Sequence, residues 1–235
     1  MPNNPALIFS VIVPTRDRPE FVGEAIASVL KQRLIGLEVL VVNDGTELIP
    51  DQTDARVRIL DNHMRGLNSA RNMAVQNAQG RFIAFLDDDD VWTDPDFLSQ
   101  AASVLDVNGG LYFADGLMQF VDGTAKSFSL DANAESLAHD NTILISALCY
   151  EAKLHDELGL FDETMPYYAD WDWYLRVARA GHHIHHAQQT VVDIRVHAQN
   201  MSGEDNISRR QNDLNRLCEK HNLGKILLKN HVDFV

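Results

Sequence analysis

Residues 81–90 read Arg-Phe-Ile-Ala-Phe-Leu-Asp-Asp-Asp-Asp, and this stretch decides how the rest of the chain is interpreted. Its five apolar residues, Phe82 to Leu86, form a short run with the composition of a strand that is buried on both faces. Four carboxylates, Asp87 to Asp90, follow at once. Because like charges this close repel one another, the pKa of each carboxyl should be raised unless a cation lies among them. The stretch therefore predicts a buried strand whose end binds a cation.

A hard divalent metal ion suits such a cluster, because Mg²⁺ and Mn²⁺ prefer oxygen ligands. These ions usually take one or two protein carboxylates and complete their coordination with water and substrate phosphates. We therefore expect some of the four carboxylates to bind Mn²⁺ or Mg²⁺ and the others to hold ligand hydroxyls or local backbone. The alternative is a solvated acidic loop that caps the next helix. The buried strand before the cluster and the helix start Thr93-Asp94-Pro95 after it favour the metal site.

The composition indicates an acidic globular protein. The chain has 235 residues, of which 45% are hydrophobic and 23% are charged, and this is enough for one sizeable core. The net charge of −14 argues against nucleic acid as a partner and against electrostatic attachment to anionic lipid. A nucleotide phosphate could still bind through a metal ion and local backbone amides.

No targeting or membrane signal is predicted. The first ten residues contain neither a basic n-region nor an adequate apolar h-region, and no apolar run approaches the roughly 20 residues that span a bilayer. The cysteines Cys149 and Cys218 show neither a disulfide framework nor a metal-ligand spacing. We expect a cytoplasmic protein, and we leave open that it works beside the inner face of a membrane.

Strands alternate with helices along the first half of the chain. Strands are predicted at 9–14, 38–42, 56–60 and 82–86. We therefore expect an α/β fold with a mostly parallel, Rossmann-like central sheet and helices on both faces. Polar residues follow three of these strands, namely Thr15, Asp44 and Asp87 to Asp90. Ligands bind at the carboxyl ends of the strands in such sheets. The three polar strand ends are expected to lie along the same edge of the sheet, which predicts the binding site there.

Turn and cap signals predict several boundaries. Asn68 or Ser69 is expected to cap the helix that opens near residue 66. Asp115 and Gly116 are expected to turn the chain between two strands. The region 122–140 is rich in Ser, Asn, Asp and Ala without a clear period, and it is predicted to be a loop or lid.

The second half of the chain is less regular. Residues 142–150 are apolar and fit either a strand or a helix, whereas helices are predicted at 171–180 and 207–221. Gly224 is expected to cap the second of these helices. Four histidines between His182 and His186 are interpreted as a half-exposed strand rather than as a metal site.

Six segments, in this order, resemble the successive motifs of the inverting family-2 glycosyltransferases. They are Ser10 to Arg18, Val42 to Thr46, Gly66 to Asn72, Leu86 to Asp90, Tyr168 to Trp173 with Arg176 and Gly181, and Arg195 to Ser202. The resemblance implies a GT-A fold. It also implies a nucleotide-sugar half at 1–115, an acceptor half at 116–205, and a C-terminal helix and tail at 206–235.

The resemblance further implies a reaction. A sugar would be transferred from a nucleoside diphosphate sugar, for which we expect a UDP-sugar, to a hydroxyl of a glycan, a lipid-linked acceptor or a small molecule. The anomeric carbon would be inverted with assistance from Mn²⁺ or Mg²⁺. A homodimer is left open.

Matching the motifs residue by residue gives each candidate site residue a role. The nucleotide-sugar ligands would be Pro14, Thr15, Arg16, Asp44, Arg71, Asp87 and Asp88. The metal ligands would be Asp89, Asp87 and His197, and the catalytic base would be Asp170.

The sequence departs from the family's usual residues at two positions, and two of the assigned roles have an alternative. Asn43 and Ala169 stand where the family often has acidic residues, and the second departure bears on the choice of acceptor. Asp170 could be an N-cap with Trp171 at the first helical position, although a carboxylate at a helix start can also act as a base. His197 is either a structural residue or one that approaches the diphosphate and metal.

Two other functions are weighed. A sugar nucleotidyltransferase would need a glycine-rich, basic loop after the first strand, and residues 15–19 contain no such glycines. A binding module without turnover is disfavoured because Asp89 and Asp170 are both present.

Overall fold

A nine-stranded sheet runs through the protein, which a computed structural model describes at residues 7–50, 52–197 and 206–235. The strands are β1 (Phe9–Thr15), β2 (Leu37–Asn43), β3 (Val57–Asp61), β4 (Phe82–Phe85), β5 (Val91–Trp92), β6 (Leu111–Phe120), β7 (Ala125–Phe128), β8 (Leu148–Glu151) and β9 (Ile184–Val196). The α-helices are α1 (Pro19–Leu30), α2 (Leu67–Asn77), α3 (Phe97–Asn108), α4 (Leu154–Leu158), α5 (Ala169–Arg179) and α6 (Ile207–His221). Over the described ranges, no helix is both long enough and apolar enough to cross a bilayer.

The order of the strands is β3-β2-β1-β4-β8-β6-β9-β5, and β7 pairs with β6 outside this path. Parallel pairing joins β1 to β2 and β4, β2 to β3, and β6 to β9. The four-residue strand β8 is antiparallel to both of its neighbours, β4 and β6. The predicted α/β fold is confirmed, and β8 joins its parallel first half to the half that contains β6 and β9.

Apolar side chains cover both faces of the sheet, as the run in residues 82–86 predicts. In β4, Phe82 and Ala84 pack into one core cluster, Ile83 and Phe85 pack into the other, and all four are at most 1% exposed. Helices α1 and α3 cover the first face, and α2, α5 and α6 cover the second. Each fully buried Ile or Phe contributes roughly 1.5–3 kcal/mol to stability.

The turns that follow β1 and β2 are tied together. Asp17 Oδ1 accepts hydrogen bonds from the backbone N–H groups of Thr46 (2.7 Å) and Glu47 (2.9 Å). A Cβ at Gly45 would lie 2.4 Å from the same oxygen. Glycine is therefore required at residue 45, because any side chain would push the two turns apart and separate the carboxyl ends of the strands.

The turn predicted at Asp115 and Gly116 is wrong, because β6 continues through both residues. The register against β9 shifts on each side of Asp115, which marks a bulge rather than a reversal. A Cβ at Gly116 would lie 2.6 Å from Leu144 Cδ1, and the Asp115 carboxylate is 2.6 Å from His186 Nε2 on β9. Both residues thus serve close packing between strands, a role that local sequence does not distinguish from a turn.

Several other boundaries differ from the predictions. The predicted loop at 122–140 contains β7 and a short 3₁₀ turn, and the apolar run at 142–150 contains a 3₁₀ turn followed by β8. Helix α2 begins after Gly66, whose φ is +103°, so Asn68 and Ser69 lie inside the first turn and do not cap it. Helix α6 ends at His221 and is capped by Asn222 in the left-handed conformation, not by Gly224.

A buried carboxylate joins α5 to α6. Asp172 is fully buried, and its Oδ1 is 2.8 Å from both Lys220 Nζ and His221 Nε2. Its Oδ2 accepts from Arg176 Nε at 3.1 Å. Because charges taken out of water must be paired, this cluster fixes α6 against the helix that carries Asp170.

A second buried polar group gives the fold a pH dependence. The His155 ring bonds Tyr150 Oη at 2.6 Å and the carbonyl of Gly159 at 3.0 Å, and it stacks on Trp173 at 4.9 Å. Burial lowers the pKa of His155 from 6.5 to about 4. Between these two pH values the unfolded chain binds a proton that the folded protein does not, so the stability contribution is present above pH 6.5 and is lost as the pH falls toward 4.

We expect the free energy of unfolding, measured in urea at a series of pH values, to fall between pH 6.5 and 4 by about 3 kcal/mol on account of His155. The variant His155→Gln, which keeps a polar side chain but does not titrate, should lose most of this dependence. His63→Gln changes an exposed histidine and should behave as the wild type. If the profiles of His155→Gln and the wild type run parallel, the lowered pKa is wrong.

Candidate active site

The predicted strand ends meet at one cleft of about 710 Å³, a size that is typical of ligand sites. All but one of the residues predicted to form the site line it, namely Pro14, Thr15, Arg16, Asp44, Arg71, Asp87, Asp88, Asp89 and Asp170. The remaining residue, His197, lines an adjoining groove, and its Nε2 is 3.0 Å from Asp89 Oδ2. The structure thus brings together residues that are more than 180 positions apart in sequence.

The first two aspartates of the cluster are held by basic or hydroxyl groups from other elements. Asp87 accepts from Arg71 Nη2 of α2 at 2.9 Å. Asp88 accepts from Thr15 Oγ1 at 2.6 Å and from Arg18 Nη1 at 3.1 Å. Burial nevertheless raises the pKa of Asp88 to about 6, since Thr15 and Arg18 offset only part of it.

The last two aspartates differ from each other in role. Asp89 Oδ2 accepts from Arg18 Nη1 at 2.8 Å and lies beside His197, so it faces the cleft between two basic side chains. Asp90 accepts from Ser146 Oγ at 2.6 Å and from the backbone N–H of Arg195 at 3.2 Å. Burial, followed by the charges of Asp87 and Asp89, raises the pKa of Asp90 well above its usual value. Asp90 therefore fastens the cluster to β9.

Arg18 is a site residue that the sequence prediction did not assign. It lies in the first motif, and its guanidinium bridges Asp88 and Asp89. Burial alone would lower the pKa of Arg18, but the charges of Asp88 and Asp89 outweigh burial and raise it. Its position one residue before Pro19 was the available signal, because the start of α1 lies at the rim of the sheet.

Arg71 connects the acidic cluster to the other side of the cleft. The residue is 5% exposed, and burial disfavours its charge. The carboxylates of Asp87 and Asp170 outweigh burial and raise its pKa. Within the described ranges, Arg71 Nε is buried without a hydrogen-bond partner, so the guanidinium has a donor that only a ligand or water would satisfy.

Asp44 holds the start of α2. Its Oδ1 accepts from Asn62 Nδ2 at 2.6 Å and from the Gly66 N–H at 3.0 Å. Gly66 and the first residues of α2 line the cleft. The positive end of a helix favours anions. By holding Gly66, Asp44 therefore fixes an anion-attracting helix start at the cleft.

Asp170 enters the cleft from α5, and it is not the N-cap that was considered as the alternative to a base. Tyr168 occupies that position, and the helix begins at Ala169. Asp170 therefore lies in the first turn, where the helix dipole favours a carboxylate. Its Oδ2 accepts from Asn141 Nδ2 at 3.3 Å.

The donor set fits a hard divalent cation only in part. Across the described ranges, no group of three His, Cys, Asp or Glu side chains is arranged to hold a metal ion by itself. Mg²⁺-type ions need only one or two protein ligands when substrate phosphates supply the rest, and Asp89 with His197 meets that requirement. Residues 198–202 of the last predicted motif lie outside the described ranges.

Comparison with known proteins supplies the family. Residues 10–143 match the family described as Glycosyl transferase family 2. The chain belongs to this glycosyltransferase family. It is 30% identical to the uncharacterized glycosyltransferase YwdF of Bacillus subtilis (strain 168), across 94% of this chain and 87% of that protein. The prediction of a family-2 glycosyltransferase is therefore confirmed, and inversion stays a prediction.

Solved structures support the GT-A fold. TarS 1–349 of S. aureus in complex with UDP-GlcNAc aligns with a TM-score of 0.63 at 20% identity, over 81% of this chain and 59% of that one. The mannosyltransferase PcManGT of Pyrobaculum calidifontis, in complex with GDP-Man and Mn²⁺, aligns with a TM-score of 0.68 at 19% identity, over 92% and 65%. The chain thus spans about three fifths of each of these structures, and the likeness concerns the fold.

We expect Asp87→Ala to lower the free energy of unfolding by about 3 kcal/mol, because it leaves the buried Arg71 guanidinium without its ion-pair partner. The matched control is Asp54→Ala, which breaks an aspartate–arginine pair that is about one-third exposed on each side and should cost at most about 1 kcal/mol. Urea unfolding of the ligand-free proteins makes the comparison. Equal losses in the two variants would show that Asp87 has no special part in holding Arg71.

Proposed function

We propose that the protein transfers a sugar from a nucleoside diphosphate sugar to an acceptor hydroxyl, with inversion at the anomeric carbon and with Asp170 as the general base. One observation carries the proposal. The carboxylate of Asp170 shares a cleft with the acidic cluster that follows β4. The charges of Asp87 and Asp170 both raise the pKa of the buried Arg71. A candidate base and a candidate diphosphate site are thereby set side by side.

The donor would bind at the ends of β1 and β2 and at the start of α2, within the half formed by residues 1–115. Pro14, Thr15 and Arg16 would border the nucleoside, and the Gly66 end of α2 would face its phosphates. A UDP-sugar is our first choice of donor, because TarS is crystallised with UDP-GlcNAc. GDP-mannose, which is bound to PcManGT, is the alternative to test.

Asp89 and His197 would hold the metal ion, with Asp87 and Asp88 beside them. When bound, Mn²⁺ or Mg²⁺ would offset the negative charge that grows on the leaving diphosphate. Arg18 and Arg71 would add fixed positive charge at the same place, because both guanidinium groups already lie against the cluster.

The acceptor would bind on the side formed by residues 116–205, where α5 presents Asp170. As the acceptor oxygen attacks the anomeric carbon from the face opposite the diphosphate, Asp170 would take up the hydroxyl proton. A carbon–oxygen bond forms to the acceptor, and the bond to the diphosphate breaks with its electron pair. The configuration of the carbon is inverted because attack and departure occur on opposite faces.

We expect Asp170→Asn to reduce transfer by about 10²–10⁴-fold when donor and acceptor are saturating, because an amide of the same shape cannot accept the proton. Donor affinity and melting temperature should change little. Asp156→Asn alters an exposed carboxylate on α4 outside the cleft and should keep normal transfer. Near-normal turnover in Asp170→Asn would remove it as the base, and a wild type that binds donor without transferring it would be a binding module.

The metal assignment predicts a conditional effect on donor binding. UDP-sugars at about 100 times their dissociation constant should stabilise the wild type by about 2.7 kcal/mol, and this gain should require Mn²⁺ or Mg²⁺. Asp89→Ala should abolish the metal-dependent part, whereas Asp106→Ala, at an exposed carboxylate on α3, should retain it. Thermal-shift curves with and without EDTA make the test, and stabilisation that survives EDTA would refute the metal role.

A further inference from the structure

The segment that follows α6 forms one wall of the cleft. Six of its residues line the same cavity as Asp170, namely Leu227, Lys229, Asn230, His231, Val232 and Phe234. This segment lies beyond residues 10–143, which match the family, and beyond the motifs that carry the resemblance. Its place in the site therefore comes from this chain's own contacts.

One end of the segment is fixed to the helices of the acceptor side. Arg210 of α6 is buried and donates to the Lys229 carbonyl at 2.9 Å and to Tyr168 Oη at 3.3 Å. Lys229 Nζ lies 2.7 Å from Asp140 Oδ1. Because Tyr168 precedes α5 directly, these contacts tie the wall to the helix that carries Asp170.

The other end is fixed to the hairpin strand β7. The Phe128 ring meets the His231 and Phe234 rings edge-on, with centroids 5.2 Å and 6.3 Å away. Lys126 Nζ donates to the Val235 carbonyl at 3.0 Å. The wall is therefore a built part of the site, held from two sides.

The wall and its neighbour Asn141 place hydrogen-bond acceptors around Asp170. Asn141 must turn its Nδ2 toward Asp170, because a carboxylate accepts and does not donate. Its Oδ1 is consequently turned away, and it is buried without a partner among the residues that the structure describes. Buried polar atoms are normally satisfied, so Asn141 Oδ1 calls for a donor that enters the cleft.

His231 adds an acceptor of another kind. Burial lowers the pKa of its imidazole, although the nearby carboxylate of Asp170 and the backbone of Asn141 oppose that shift. One ring nitrogen is hydrogen-bonded to the backbone of Asn141, and in a neutral imidazole the other nitrogen accepts. The carboxylate, the amide oxygen and the ring nitrogen together match a ligand with several hydroxyl donors.

We propose that Asn141 and His231 bind the acceptor, and that the acceptor is a saccharide whose hydroxyl groups donate to them while a further hydroxyl donates to Asp170. The proposal rests on the proposed function, because it takes Asp170 as the base of the transfer. It makes Asn141 and His231 specificity-determining residues and leaves donor binding to the other half of the cleft.

Saturation-transfer NMR on the full chain tests the proposal, with UDP and Mg²⁺ bound so that the nucleoside diphosphate positions are filled. The probes are the methyl pyranosides of glucose, galactose, mannose and N-acetylglucosamine, and cyclohexanol is the single-hydroxyl ring of similar size. At least one pyranoside should bind the wild type, and cyclohexanol should not. Loss of one hydrogen bond should weaken that binding about 5-fold or more in His231→Phe and in Asn141→Ala.

Two controls keep the outcomes distinct. His231→Phe retains a ring that can pack on Phe128, and UDP affinity measured by calorimetry should stay at the wild-type value. His139→Phe changes an exposed histidine outside the cleft and should bind the pyranoside normally. The proposal is overturned if no pyranoside binds the UDP-loaded wild type, if cyclohexanol binds as well, or if both folded variants bind the pyranoside unchanged. Failure of the wild type to bind any nucleoside diphosphate would instead refute the proposed function.

Discussion

Repulsion among four adjacent carboxylates is the constraint on which the arrangement of this protein depends. Each aspartate is relieved from a different direction. Asp87 is paired from α2, Asp88 from the end of β1, Asp89 from the residue before α1 and from the residue after β9, and Asp90 from the turn before β8. The cluster can exist only where these elements converge, so the same charges that suit a metal-assisted site also specify the topology around it.

Hydrogen-bond partners distinguish Asp90 from the carboxylates that face basic side chains. Asp90 is enclosed and bonded to Ser146 and to the backbone of β9, and its raised pKa reflects the cost of that position. Asp87 and Asp89 face basic side chains at the cleft. The site therefore combines one carboxylate that fastens two halves of the sheet with others that remain directed at a ligand.

The sequence predicted the structure correctly where the deciding interactions are local. The apolar run at 82–86, the alternation of strands and helices, and the polar strand ends predict the parallel core, and the cleft does gather Thr15, Asp44 and Asp170. The roles assigned to these residues stay predictions. The failures arose where distant contacts decide. Asp115 is a residue type that is common in turns, but its contact with His186 of β9 keeps it within a strand. No local periodicity predicts that the segment around His231 returns to the cleft.

The position of β8 has a consequence for how the chain reaches its native state. Although β4 and β6 both precede β8 along the sequence, β8 lies between them in the sheet and is made only at residues 148–151. While the chain emerges during synthesis, one edge of β4 and one edge of β6 must therefore wait unpaired, and both carry apolar side chains. Exposed strand edges of this kind invite pairing with other chains. The other edge of β6 is covered by β9, which is made later still, at residues 184–196. The nascent protein therefore keeps an apolar strand edge open to association until both β8 and β9 have joined the sheet.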